Sequence, residues 1–191
     1  MKENFEKSLS FTLDPSIEGG FANHIKDRGG PTNQGITLKT LKAYYADYGY
    51  GDFDMDGDAD IDDLLLLDTP EEAAPIYRKW FWDGVRGDDL PSGVDYVIFD
   101  SAVNHWVINA GIFLQRALNR WGQNLEVDGI IGPVTIKAVA EYGSSMFITD
   151  ILRERDTFYR KIVARDLSQE VFMKGWLNRL AQVAVNARTF L

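Results

Sequence analysis

Residues 16–37 read SIEGGFANHIKDRGGPTNQGIT, a stretch with five glycines and a single glutamate, Glu18, set between Ile17 and the pair Gly19 and Gly20. A surface turn needs glycine for its backbone, but it has no need of a carboxylate among apolar side chains. A carboxyl group half-buried beside open backbone loses hydration in its charged form and so keeps its proton to higher pH. Glu18 is therefore a candidate proton donor. Without its neighbours the better reading would be an ordinary carboxylate at a helix end.

Working outward, the chain has 191 residues, of which 45% are hydrophobic and 13% aromatic. That suffices for one domain of ordinary size or two small lobes sharing a cleft. There is no cysteine, which excludes a disulfide framework and thiolate metal sites and leaves core packing, with or without a hard ion, to hold the fold. The opening MKENFEKSLSFTLDP has charges at Lys2, Glu3, Glu6 and Lys7 and no long apolar run, so it reads as neither a cleavable signal nor a membrane anchor. The formal net charge is −9, yet seven aspartates lie between Asp52 and Asp63, and without them the remainder stands at only −2. The basic residues are scattered along the C-terminal half rather than clustered, which argues against a nucleic-acid partner.

Periodicity predicts a mostly α protein. In TLKTLKAYYADYGYG, Leu38, Leu41, Tyr45 and Tyr48 recur at three- and four-residue steps, with Gly49 as the stop. In DTPEEAAPIYRKWFW, Thr69 is a predicted N-cap, Pro70 takes the first helical position and Glu72 completes a capping box, with Pro75 forcing irregularity in the first turn of a helix that runs to Trp82. Further helices are expected over 94–104, 110–120, 133–142, 146–165 and 170–189, with strands minor. DGIIGP at 128–133 punctuates the second half.

The sharpest local pattern is DFDMDGDADIDD, residues 52–63. It places Asp52, Asp54, Asp56, Asp60 and Asp63 at positions 1, 3, 5, 9 and 12 of a twelve-residue frame, Gly57 at the sharp turn of position 6, and the Asp58 carbonyl at position 7. Carboxylates this dense repel one another unless a cation gathers them, and oxygens at flexible spacing suit one structural calcium ion. The frame resembles an EF-hand loop, and more closely a dockerin loop that closes with Asp followed by Leu, here Asp63 and Leu64. It departs at Ala59, in place of a branched apolar residue, and at Asp63, in place of glutamate. The other reading of the segment is a solvated acidic loop.

The opening stretch resembles the start of the lysozymes grouped as glycoside hydrolase family 108, on Glu18, Gly19, Gly20, Phe21, Asp27, Gly29, Gly30, Thr32, Asn33, Gly35, Ile36 and Thr37. FDSAVNHW and LQRALN continue the likeness, with Asp100, Asn104 and Gln115 in the matching positions, and VDGIIGPVTIKAV and FMKGWLNRL resemble a following peptidoglycan-binding domain. Departures are His24 where the family has Asp, Gln34 where an aromatic is usual, and the acidic loop as an insertion.

The resemblance implies a mostly α, lysozyme-like two-lobed fold: a catalytic region over 1–104, containing the loop 52–63, and a helical peptidoglycan-binding region over 105–191. It implies cleavage of the β-1,4 bond between N-acetylmuramic acid and N-acetylglucosamine, with Glu18 as general acid. A glutamate held among Ile17, Phe21 and glycine backbone is suited to that role by desolvation. Asp27 and Thr32 then position or activate water, as in the T-even phage lysozymes; side-chain stabilisation of a turn competes equally for both. Asn33, Asn104 and Trp106 are candidate substrate contacts. Trp80, Phe81 and Trp82 fit either a sugar cleft or a core, with core preferred for Trp80 and Trp176, and His24 and His105 receive no role. The implied partner is bacterial peptidoglycan, met by a monomer with neither nucleic acid nor membrane. The enzyme would be made without a signal peptide and reach the wall by holin-type release or other export. The competing classes are a non-catalytic, calcium-stabilised wall-binding protein and a dockerin-type interaction protein, although dockerins pair two loops and one is found.

Overall fold

The computed structural model describes residues 4–14, 21 and 30–191. Over these the chain forms α1 (Phe5–Thr12), β1 (Thr32–Asn33), β2 (Ile36–Thr37), α2 (Leu38–Tyr48), α3 (Ile61–Leu66), α4 (Pro70–Ile76), α5 (Val94–Arg120), α6 (Pro133–Val139), α7 (Ser145–Arg165) and α8 (Glu170–Ala187). The chain divides into two compact units: Leu9–Arg78, and Met1–Ser8 with Lys79–Leu191. Helix α5 runs through 104/105, the boundary expected from sequence.

In the smaller unit, β1 and β2 form a two-stranded antiparallel hairpin that pairs Thr32 with Thr37 and Asn33 with Ile36. Its turn puts both Gln34 (φ 47°) and Gly35 (φ 71°) in the left-handed region, as a tight two-residue hairpin requires. The Tyr77 hydroxyl donates to the Gln34 carbonyl at 2.8 Å, and the Gln34 side chain donates to the Asp68 carbonyl at 3.0 Å. Here Gln34 stands where the resembling family has an aromatic, and a polar side chain serves the turn as a tie. Thr37 caps α2 by accepting from the Thr40 N–H, and Gly49 closes it at φ 67°. The buried face of α2 is Thr40, Leu41 and Tyr44, so the expected stripe of Leu38, Leu41, Tyr45 and Tyr48 is rotated: Tyr48 is 49% exposed, and Tyr45 sends its hydroxyl to the Gly57 carbonyl. The capping box of Thr69 and Glu72 forms in full. The irregularity attributed to Pro75 falls later than expected, as a π-helical segment over Tyr77–Trp82 that follows α4. Proline lacks the N–H that would bond the carbonyl four residues back, which loosens the ladder where the wider turns begin.

The larger unit is built on α5, which packs against α7 and α8 and touches α6. Its buried residues include Val97, Ile98, Phe113, Leu114 and Leu118, while α7 buries Phe147, Ile148 and Ile151 and α8 buries Val183 and Ala187. Each of the Val, Leu, Ile and Phe side chains contributes roughly 1.5–3 kcal/mol by leaving water. Phe5 of α1 closes an aromatic cluster with Trp82 and Phe99, at centroid distances of 5.4 and 6.0 Å. Trp82, which the sequence left between cleft and core, is fully buried and donates its indole N–H to Asp88 at 2.9 Å. Trp80 and Trp176 are half-buried, the latter stacked on Tyr159 at 4.8 Å. Gly111 of α5 lies so close to the loop at Gly129 that a Cβ on it would stand 2.0 Å from the Gly129 carbonyl oxygen. Gln115 secures the same loop, donating to Asp128 and to the Ile130 carbonyl while accepting from the Gly129 N–H. The two helices expected over 94–104 and 110–120 are one element broken at Trp106, whose backbone (φ 68°, ψ 155°) is not helical.

Candidate active site and acidic loop

Glu18 and Asp27 lie outside the described residues, as does His24; Phe21 within that stretch is 45% exposed. Thr32 is half-buried on β1 and its hydroxyl donates to the Gly30 carbonyl at 3.2 Å, a turn-closing bond of the kind weighed against a water-positioning role. Asn33 is 4% exposed. Its amide nitrogen donates to the Leu64 carbonyl at 2.9 Å and its oxygen accepts from the Gln34 N–H at 3.0 Å, so this side chain is a strut tying the hairpin to α3 rather than an open edge for a sugar. Asn104 is half-buried and donates one turn back to the Asp100 carbonyl at 2.8 Å. Trp106 is 59% exposed, with its ring 6.0 Å from that of Phe81.

The acidic segment folds back on itself and leads directly into α3. Asp52 accepts from the N–H groups of Asp56 and Gly57, Asp54 also accepts from Asp56, and Asp56 accepts from Asp58. Gly57 takes the positive φ (104°) that position 6 of the frame demands. Asp63 is 1% exposed and receives the N–H groups of Phe53, Asp54 and Asp60, which closes the loop and completes a capping box with Asp60 at the start of α3. Burial would raise the Asp63 carboxyl, but these backbone donors bring it below its ordinary value. Partial desolvation and then the neighbouring carboxylates raise Asp54 and Asp58. Side-chain oxygens of Asp52, Asp54 and Asp63 lie within 4.8 Å of one another, as do those of Asp58, Asp60 and Asp63. The residues therefore fit a hard cation, with Asp63 common to both triads. The Asp58 side chain joins one of them, where the sequence frame had assigned only its carbonyl. Of the four leucines that follow, Leu64 and Leu67 are fully buried while Leu65 and Leu66 are each 44% exposed.

Sequence reasoning missed a buried ionic network in the larger unit. Asp100 on α5 receives Arg155 of α7 (Nη1, 2.5 Å) and Arg179 of α8 (Nη2, 2.8 Å). The side chains of Arg155 and Asp100 have no exposure and that of Arg179 has 9%. Burial alone would raise Asp100, but the guanidinium groups of Arg179 and Arg155 bring it to about 2. Arg155 Nε also donates to Tyr159 Oη (3.1 Å) and His105 Nε2 (3.2 Å), and His105 Nε2 and Tyr159 Oη are 3.0 Å apart. A ring nitrogen that accepts from guanidinium carries no proton, so the imidazole is neutral. Burial, then the charge of Arg155, pushes it down to about 3. Asp100 was visible in FDSAVNHW, but nothing local distinguished Arg155 and Arg179 from the other scattered basic residues.

Comparison with known proteins matches residues 13–105 to the family described as Glycosyl hydrolase 108 and residues 109–181 to one described as Predicted Peptidoglycan domain. Among solved structures, "Structure of Brucella abortus SagA" is similar at 31% identity and a TM-score of 0.79, covering 100% of this chain and 97% of that one. Comparison with curated protein sequences gives no match.

Proposed function

We propose, for a chain that belongs to the glycosyl hydrolase 108 family and is a mostly α, lysozyme-like peptidoglycan hydrolase, that the bond cleaved is the β-1,4 link between N-acetylmuramic acid and N-acetylglucosamine, with Glu18 as general acid. The observation that carries this reading is the family match over 13–105, which takes in Glu18, Asp27 and Thr32 together. Glu18 gives its proton to the glycosidic oxygen as the bond to the anomeric carbon breaks, and a water held by Asp27 and Thr32 adds to that carbon and yields its proton to the Asp27 carboxylate. Trp106 is the sugar contact favoured by its exposure, with Asn104 two residues before it on α5. The protein acts as a monomer on the wall, reached through a holin or by other export.

Asp52, Asp54, Asp56, Asp58, Asp60 and Asp63 would hold one structural calcium ion. The ion supplies charge neutralisation that fixes the loop and the start of α3, and no chemical step passes through it. Glu18→Gln tests the catalytic assignment. The amide keeps the shape but cannot donate the proton, so lysis of purified walls should fall by about 10²- to 10⁴-fold with the melting temperature unchanged. Substantial lysis by the folded variant would remove Glu18 from the acid role.

A further inference from the structure

The break in α5 carries more than a change of direction. Trp106 adopts φ 68°, ψ 155°, a combination open to glycine and strained for any side chain with a Cβ, and it does so while 59% exposed. A bulky aromatic so exposed gains little from core burial, so its surroundings must hold it there. They do so on both sides of the peptide. The carbonyl immediately before the break, that of His105, receives the side-chain amide of Asn109 at 2.7 Å. The His105 ring is pinned by Arg155 and Tyr159 and packed edge-on or tilted against Phe113 and Phe158, at centroid distances of 5.8 and 5.1 Å. Beyond the break, Val107 lies against Gly84, where a Cβ would stand 2.8 Å from its methyl carbon. The Trp106 ring itself rests against Phe81, tilted by 32°.

We propose that the α5 break is a device for presenting the Trp106 indole face to a glycan ring, and that His105 and Asn109 are its positioning residues. Saccharide rings carry an apolar face of C–H groups that stacks on aromatic surfaces, and a platform fixed before binding loses less conformational freedom when the sugar arrives. The proposal rests on the reading of Trp106 as a sugar contact, and each of its two parts has its own test.

Steady-state kinetics on soluble, uncross-linked peptidoglycan strands separate them. Trp106→Ala should raise KM about tenfold and leave kcat within about twofold, the pattern for a contact made equally in ground and transition states. Asn109→Ala should raise KM several-fold in the parent and not at all in the Trp106→Ala background, because it acts only through the ring. Asn109→Ser should restore the parent KM, since a hydroxyl can donate to the carbonyl four residues back, as Thr149 and Thr157 already do in α7. An unchanged KM in Trp106→Ala overturns the underlying sugar contact. A raised KM in Trp106→Ala, with Asn109→Ala either silent or additive to it, overturns the positioning role alone. Thermal melting without substrate tests the strain: Trp106→Gly should melt above Trp106→Ala, the reverse of the order in a regular helix interior. Gly melting at or below Ala would show an unstrained position and overturn the device.

Discussion

Replacing Asp100 by Asn exchanges one heavy atom, a carboxylate oxygen for an amide nitrogen, and removes one full charge. In the parent, the carboxylate takes Arg155 at 2.5 Å and Arg179 at 2.8 Å, and none of these side chains is more than 9% exposed. Asparagine keeps one oxygen to accept with, but it cannot balance a guanidinium. Arg155 would keep only neutral partners, Tyr159 and His105, with Nη2 already lacking any hydrogen-bond partner among the described residues. Removing one partner of a buried ion pair leaves an uncompensated charge at a cost of about 3–5 kcal/mol. For a chain of this length, each kcal/mol lowers Tm by about 2–4 °C, which gives a fall of roughly 6–20 °C.

Differential scanning calorimetry at neutral pH measures this loss directly. A second variant isolates its origin. In Asp100→Asn with Arg155→Met, the fully buried Arg155 charge is gone and only that of Arg179, 9% exposed, has lost its carboxylate, so the loss should be well below the sum of the two single losses. Wall lysis per folded molecule at low temperature should survive Asp100→Asn, because the side chain is fully buried. A Tm for Asp100→Asn within about 2 °C of the parent would refute the reasoning, since no buried charge would then depend on this carboxylate.

Calcium at a hundred times its dissociation constant should stabilise the fold by about 2.7 kcal/mol, so chelation should lower Tm by about 5–10 °C and the double variant Asp52→Asn, Asp56→Asn should lose that response; superimposable melting curves in chelator and in calcium would leave the aspartates as a solvated loop. His105 sets an acid limit. Its folded value of about 3 lies below the ordinary 6.5, so its contribution is complete above about pH 6.5 and is lost as pH falls towards 3, by at most about 1.4 kcal/mol per pH unit. His105→Gln should therefore show a shallower decline of Tm between pH 6.5 and 4.5 than the parent, and an equal decline would remove His105 as the cause. Asp100 acts lower, its contribution fading only as pH falls from 3.8 to about 2. Gly111→Ala should cost about 1–3 kcal/mol, because the added carbon would stand 2.0 Å from the Gly129 carbonyl and the loop must shift to admit it; an unchanged Tm would show that the close approach is not needed.

What could be read from sequence was local. The Thr69 and Glu72 capping box, the left-handed stop at Gly49 and the positive φ at Gly57 each arise from residues within a few positions of one another, and each is present. Helix α1 was missed because its eight residues, FEKSLSFT, mix charge with too few apolar positions to stand out, and it takes its place by burying Phe5 against Trp82 and Phe99. The face of α2 was misjudged for a related reason. Tyrosine counts as apolar in a periodicity, yet Tyr48 is left half exposed, while Thr40 is buried with its hydroxyl bonded to that of Thr37.

The network around Asp100 was illegible on different grounds. Arg155 and Arg179 stand 55 and 79 residues from the carboxylate they serve, at spacings that any exposed helical arginine would also show. Only the packing of α7 and α8 on α5 selects those two from the scattered basic residues. Trp106 lies between these cases. Helices expected to end at 104 and to begin at 110 bracket the break, but the residue that takes its positive φ is a tryptophan, whereas the sequence signal for such a position is glycine. A local rule is broken there because the distant groups hold it broken: Arg155 and Tyr159 fix the ring of His105 while Asn109 holds its carbonyl. A side chain kept in a conformation that its own residue type disfavours, and left facing solvent, is paired with a use outside the fold's own stability.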